Sequence, residues 1–245
     1  MTTPDPACSR LPLEGATPAD RWSRFRGVHS GAFSAFVALL FPAFVAAQTD
    51  VNLGELLINQ GHLDEAQEVL VRAVRVLRAS GAVIFLAEGR LQLARVSLSR
   101  GQLDEAERRA ADVVATFSSL NNHTSALDAA LVQAEAVLRS GRPAEALAII
   151  DHAERAAGAD AGFSLPRTCL QRGRALLTLD RLDEAGEIIT SGILAARAQD
   201  LPYEQALLLS LSSDLERRHH RADAAEAAWL ESDQLLTGLG VRGHE

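Results

Sequence analysis

All 24 basic residues of this chain are arginine, and lysine is absent. That absence removes a Walker-type phosphate-binding lysine, a Schiff-base lysine and the nucleotide-pairing lysine of a kinase together. His219-His220 has the chemistry of a metal ligand, but no further ligand stands at useful spacing. An exposed polar turn is the better reading of that pair. Cys169 lies beside Leu170 in a helix-forming stretch, and a small buried apolar residue is the better reading than a nucleophile. With Cys8 as the other cysteine, neither a four-thiolate zinc site nor a disulfide framework is expected. The sequence holds no HExxH, no CxxC and no glycine-flanked serine elbow. Arg108-Arg109 and Arg217-Arg218 read as solvated helix faces. No catalytic residue, metal or cofactor is expected.

One charged pattern is less plain. Glu55, Arg95, Glu135, Arg174 and Asp214 recur at near-constant spacing, and their sign alternates strictly. One reading is a ladder of ion pairs between neighbouring units, each exposed pair worth about 0.2–1 kcal/mol. The other is a groove of alternating charge that reads a peptide's backbone and charges. We favour the ladder, noting that a partner would find the same residues. Gln92, Asp128 and Gln171 join these five as candidate groove residues.

Those residues need a repeating scaffold, and the chain has one. The string GHLDEAQEVL at 61–70 recurs as GQLDEAERRA (101–110), GRPAEALAII (141–150), DRLDEAGEII (180–189) and, more worn, HRADAAEAAW (220–229). The alanines that close each block are Ala66, Ala106, Ala146, Ala185 and Ala225, spaced by 40, 40, 39 and 40 residues. Gly61, Gly101 and Gly141 suit the left-handed residue that ends a helix, a place held by Asp180 and His220 in the last two units. Acidic residues follow in the expected first turn of the next helix (Asp64, Glu65, Asp104, Glu105, Asp183, Glu184), facing the positive end of its dipole. Pro143 fits the same turn. Apolar residues then run at helical spacing through Leu70, Val74, Leu77, Val113 and Phe117.

Twelve residues before each alanine stand Gly54, Ala94, Ala134, Gly173 and Ser213, all small. Facing columns of small residues let two antiparallel helices approach closely. Each unit is therefore a helical hairpin that buries its face by stacking on its neighbours. Composition agrees: 47% of residues are apolar, only 4% are aromatic, and Ala with Leu make up about a third. A net charge of −8 argues against nucleic acid as a partner.

Leu53-Gly54, Leu57, Ala66, Leu70 and Ala73 reproduce the pattern of the tetratricopeptide repeat, which the array at 48–238 resembles. The usual tryptophan and tyrosine are mostly aliphatic here, the proline near each unit's end is missing, and the period is about 40 rather than 34. The surplus falls at Gly81–Leu86, Asn121–Ala126, Ala161–Leu165 and Asp200–Gln205, read as an added turn at the front of each first helix. Thr124, Ser164 and Asp200 are the expected helix starts there. The resemblance implies an all-α, right-handed superhelix of about five hairpins. It implies a non-enzymatic module that binds a protein or peptide segment in a concave groove lined by the first helices, where the residues after each small position point.

A narrower likeness involves residues 52–81, 196–209 and 235–241. They resemble the C-terminal repeats of large actinobacterial regulators, in which a nucleotide cyclase or LuxR-type DNA-binding domain is joined to an ATPase. This implies the alternative of a truncated regulatory arm, without catalytic residues of its own.

Residues 1–47 differ from the rest, with five of the eight phenylalanines and five of the eight prolines. The start is expected to be disordered, with an apolar stretch at 32–47. Arginines at 21, 24 and 26, the apolar run and Val45-Ala46-Ala47 fit a signal peptide and export. A helix covering the open end of the array, or a remnant of a longer protein, fits equally in kind, and we favour the remnant. The apolar run is short for a bilayer and contains Pro42, so stable membrane insertion is not expected. The expected location is cytoplasmic, residues 239–245 forming a short tail.

Overall fold

The computed structural model describes residues 42–241. Contacts group the chain into two compact units, 1–46 and 47–245, and the second holds the array. Most of the apolar stretch expected at 32–47 lies outside the described residues.

Helix α1 covers 42–59. It is followed by α2 (Leu63–Ser80), α3 (Val83–Ser99), α4 (Leu103–Ser119), α5 (His123–Arg139) and α6 (Pro143–Ala157). A 3-10 segment, Gly158–Ser164, leads into α7 (Leu165–Thr178), α8 (Leu182–Ala198), α9 (Pro202–Arg218) and α10 (Ala222–Gly238). The described residues contain no strand. Odd- and even-numbered helices pair as five successive hairpins, as the period requires.

The hairpin turns follow from one backbone requirement. Gly61, Gly101 and Gly141 take φ of 79°, 73° and 81°, and Asp180 and His220 take the same left-handed conformation at 58° and 59°. That residue lets the next N–H turn back onto the ending helix: His62 N–H donates to the Leu57 carbonyl at 2.8 Å, and Arg181 N–H to that of Leu176 at 3.0 Å. The new helix then opens with its acidic pair, Asp64 and Glu65 in α2, Asp104 and Glu105 in α4, Asp183 and Glu184 in α8. Pro143 opens α6.

Inside each hairpin the small residues face one another. Ala66, Ala106, Ala146, Ala185 and Ala225 are all 3% exposed or less. Gly54, Ala94, Ala134, Gly173 and Ser213 are buried as well. The close approach is literal at Gly54, where a Cβ would lie 2.5 Å from Leu70 Cγ. In the worn last unit two buried serines stitch the seam. Ser213 Oγ donates to the Ala225 carbonyl at 2.8 Å, and Ser232 Oγ to that of Ala206 at 2.7 Å. Leu70, Val74, Leu77, Val113 and Phe117 are buried, as their spacing requires.

The surplus residues form the fronts of α3, α5 and α9, as expected, but their start signals are partly different. Asn122, not Thr124, caps α5, its Oδ1 accepting from Ser125 N–H at 3.2 Å. Asp200 closes α8 in the left-handed conformation, with φ 53°, and Leu201 is the capping position of α9. Ser164 does precede α7, yet its hydroxyl makes no cap. It donates instead to Asp128 Oδ1 at 2.9 Å. Between the third and fourth hairpins the surplus is not an added α-helical turn but mostly the 3-10 segment ahead of α7. Arg172 on α7 ties the two hairpins by pairing with both Asp151, at 2.6 Å, and Glu154 of α6.

First helices touch in succession: α3 meets α5, α5 meets α7 and α7 meets α9. Among the described residues no second helix meets another second helix. The first helices therefore form the inner wall of the array and the second helices its outer layer.

Candidate partner-binding groove

The inner wall carries a cleft of about 300 Å³. Residues from all five first helices line it, from Ile58 and Asn59 on α1 to Tyr203, Glu204 and Leu207 on α9. Arg95 and Glu135 directly follow the small residues Ala94 and Ala134, and Ile58, Leu98, Leu131 and Leu170 lie one turn from theirs. Leu98, Leu131, Val132 and Leu170 supply the apolar floor.

Of the eight candidate residues, Arg95, Asp128, Glu135 and Gln171 line this cleft. Gln92 is buried on α3 beside it, and Glu55, Arg174 and Asp214 stand on α1, α7 and α9 outside its lining. The alternating charges form a broken ladder. Arg95 Nη1 donates to Glu55 Oε1 at 3.4 Å, and Arg174 Nη1 stands 3.8 Å from Glu135 Oε1. Glu135 also accepts from Gln171 Nε2 at 2.9 Å. Two of the four expected rungs, Arg95 to Glu135 and Arg174 to Asp214, are absent among the described ion pairs, and Asp214 pairs within its own helix with Arg217 at 2.9 Å. A carboxylate three residues from an arginine is satisfied locally at less cost in side-chain freedom than one a helix away.

A second network lies beside the first. Asp128 Oδ1 accepts from Arg167 Nη2 at 2.7 Å as well as from Ser164. Arg139 Nη1 donates to the Leu98 carbonyl at 3.0 Å, and Arg218 Nη1 to that of Leu177 at 2.7 Å. These arginines each reach back one hairpin to a carbonyl at a helix end that also accepts a turn N–H, from Gly101 for Leu98 and from Asp180 for Leu177. The register held the signal for Arg139, which with Asn59 and Ser99 sits one turn after the alternating column. Arg167 falls one unit after Asp128. The alternation of sign singles out the column next to the seam and carries no mark for either arginine.

In and beside the cleft, three side-chain atoms are left without a partner. Arg95 Nε, Gln92 Oε1 and Gln171 Oε1 are buried and have no hydrogen-bond partner among the described residues. Burial pulls the Arg95 guanidinium below the usual arginine value, with Glu55 opposing that shift. Buried polar atoms without partners are uncommon and costly.

The other chemically suggestive residues are structural. Cys169 is buried in α7, and burial pushes its thiol up to about 11. His220 is the exposed left-handed residue of the last hairpin turn. Arg108 and Arg109 both pair with Glu105 on their own helix. No group of three potential metal ligands occurs among the described residues. No described helix is long and apolar enough to cross a membrane.

No curated protein matches this chain. A family model described as tetratricopeptide repeat matches residues 47–72, 87–112, 127–152 and 166–189. Each matched segment starts in a first helix, crosses the turn and ends in the second helix, so each contains one small-residue position and its facing alanine. The repeat period, the hairpin geometry, the small-residue seam and these four matches agree: the chain belongs to the tetratricopeptide repeat family.

Proposed function

We propose that this chain holds an extended segment of a partner protein in the cleft on its inner wall. Tetratricopeptide arrays are in general scaffolds for protein interaction and regulation rather than enzymes, and the groove is the finer reading. The observation that carries it is the set of unsatisfied buried atoms, Arg95 Nε, Gln92 Oε1 and Gln171 Oε1, around a cleft with an apolar floor. An extended peptide offers N–H and C=O groups at regular intervals, which would satisfy two acceptors and one donor. Side chains of either sign would find a match, since Arg95, Arg139 and Arg167 alternate with Asp128, Glu135 and Glu204.

The test uses peptides selected from a random library on the intact chain. Gln171→Leu and Arg95→Met each should weaken the selected peptide at least about tenfold, the loss of one buried polar contact. Arg108→Ser, on the outer layer, should leave affinity unchanged. Equal affinity across all three variants would contradict the groove assignment.

A further inference from the structure

The five units share one register, so each end of the array can be compared with the junctions inside it. At the junction of the first two units, Leu70 of α2 and Val96 of α3 are buried in one cluster. Their counterparts Ala110 with Ala136, and Ile189 with Leu215, are likewise buried together. The counterparts at the ends of the array are Leu56 on α1 and Trp229 on α10. Leu56 is 52% exposed, while the equivalent Val96, Ala136, Ala175 and Leu215 are at most 5% exposed. Trp229 is 47% exposed, against at most 1% for Leu70, Ala110, Ile150 and Ile189. Ile150 and Ala175, at the remaining junction, are both buried but in different clusters, so each end presents one half of a contact that three of the four internal junctions complete.

The polar rim repeats this relation. Arg100 reaches back to Asp64 and Gln67 of the preceding unit, and Arg142 to Glu107. In the same register Gln60 and His62 stand at the front end, and Asp223 and Glu226 at the rear. Donors at one end would meet carboxylates at the other. A rear-to-rear contact would instead set these carboxylates near one another.

We infer that two copies of this chain associate head to tail, α10 of one receiving α1 of the next in the register of an internal junction, with Trp229 against Leu56. The contact joins different surfaces, so it leaves a free end on each copy and growth continues with concentration. It is independent of what the cleft binds.

Sedimentation velocity of the full chain over a wide concentration range tests this. The average mass should rise with concentration and pass twice the monomer. Trp229→Glu and Leu56→Glu should each be monomeric, with unchanged helical circular dichroism because both positions are exposed. Mixed in equal amounts, the two variants should form a dimer and stop there, since the mixture retains one intact front end and one intact rear end. A chain monomeric at every concentration would overturn the inference, whether a segment of the same chain covers α1 or nothing does. Association by the Leu56→Glu variant alone would also overturn it, pointing to rear-to-rear pairing, as would a mixture that stays monomeric.

Discussion

Two glycines in helix α8 separate packing from propensity. Gly186 and Gly192 both lie in the interior of Leu182–Ala198, so replacing either with alanine gains about 1 kcal/mol of helix propensity. Their surroundings differ. A Cβ at Gly186 meets only Leu215 Cδ2, at 3.4 Å, which is ordinary contact. A Cβ at Gly192 falls 2.6 Å from Cys169 Cβ and 2.9 Å from Leu208 Cδ2. Cys169 Cβ is fixed to the α7 backbone and cannot rotate away, so α8 must draw back from α7 by about 1 Å to restore van der Waals distance. Overpacking of this kind costs roughly 1–3 kcal/mol. Gly186→Ala should therefore stabilise by about 0.5–1 kcal/mol, and Gly192→Ala should destabilise by about 1–2 kcal/mol once the propensity gain is deducted. Urea denaturation followed by far-ultraviolet circular dichroism reads both, the midpoint rising for the first and falling for the second. Equal shifts would mean that propensity alone governs these positions and that the seam between α7 and α8 is looser than described.

Burial holds the Cys169 proton to about pH 11, whereas the unfolded thiol releases it near 9. The native state thus binds more protons over that interval, so stability is full below pH 9 and falls toward 11. Cys169→Ala should remove that part of the decline, and parallel pH profiles for the two proteins would refute it. Glu135→Arg breaks the contacts to Gln171 and Arg174 and puts a third cation between Arg95 and Arg174. A loss of about 1 kcal/mol that shrinks in high salt is expected, read from thermal melts at two ionic strengths. The purified chain should neither hydrolyse nor cyclise ATP, and turnover that survives re-purification and exceeds a heat-killed control would contradict a purely binding role.

Much of the fold was legible because a repeat reads the same physical problem five times. A small residue facing an alanine, a left-handed turn and an acidic first turn recur together, so chance matches at single positions are averaged away. Helix starts were less legible because the same residue types serve two roles. Asn121 and Asp200 end helices in the left-handed conformation, where Asn and Asp are tolerated. Capping falls to the next residue in one case, Asn122, and to no polar side chain in the other. In the groove, periodicity identified the column of alternating charge but not its pairing. Side chains choose partners by distance in three dimensions, as when Asp214 takes Arg217 and Ser164 takes Asp128. The exposure of Leu53, despite its place in the repeat pattern, has a related origin: among the described residues no hairpin precedes the first unit.

The most direct measurement is cross-link mapping of a selected peptide carrying a photoreactive phenylalanine analogue at successive positions. Mass spectrometry should find the attachment points on α3, α5, α7 and α9, around Arg95, Glu135, Gln171 and Leu207, advancing from one first helix to the next as the reactive position moves along the peptide. Attachment concentrated on the outer helices α4, α6 and α8 would contradict the account.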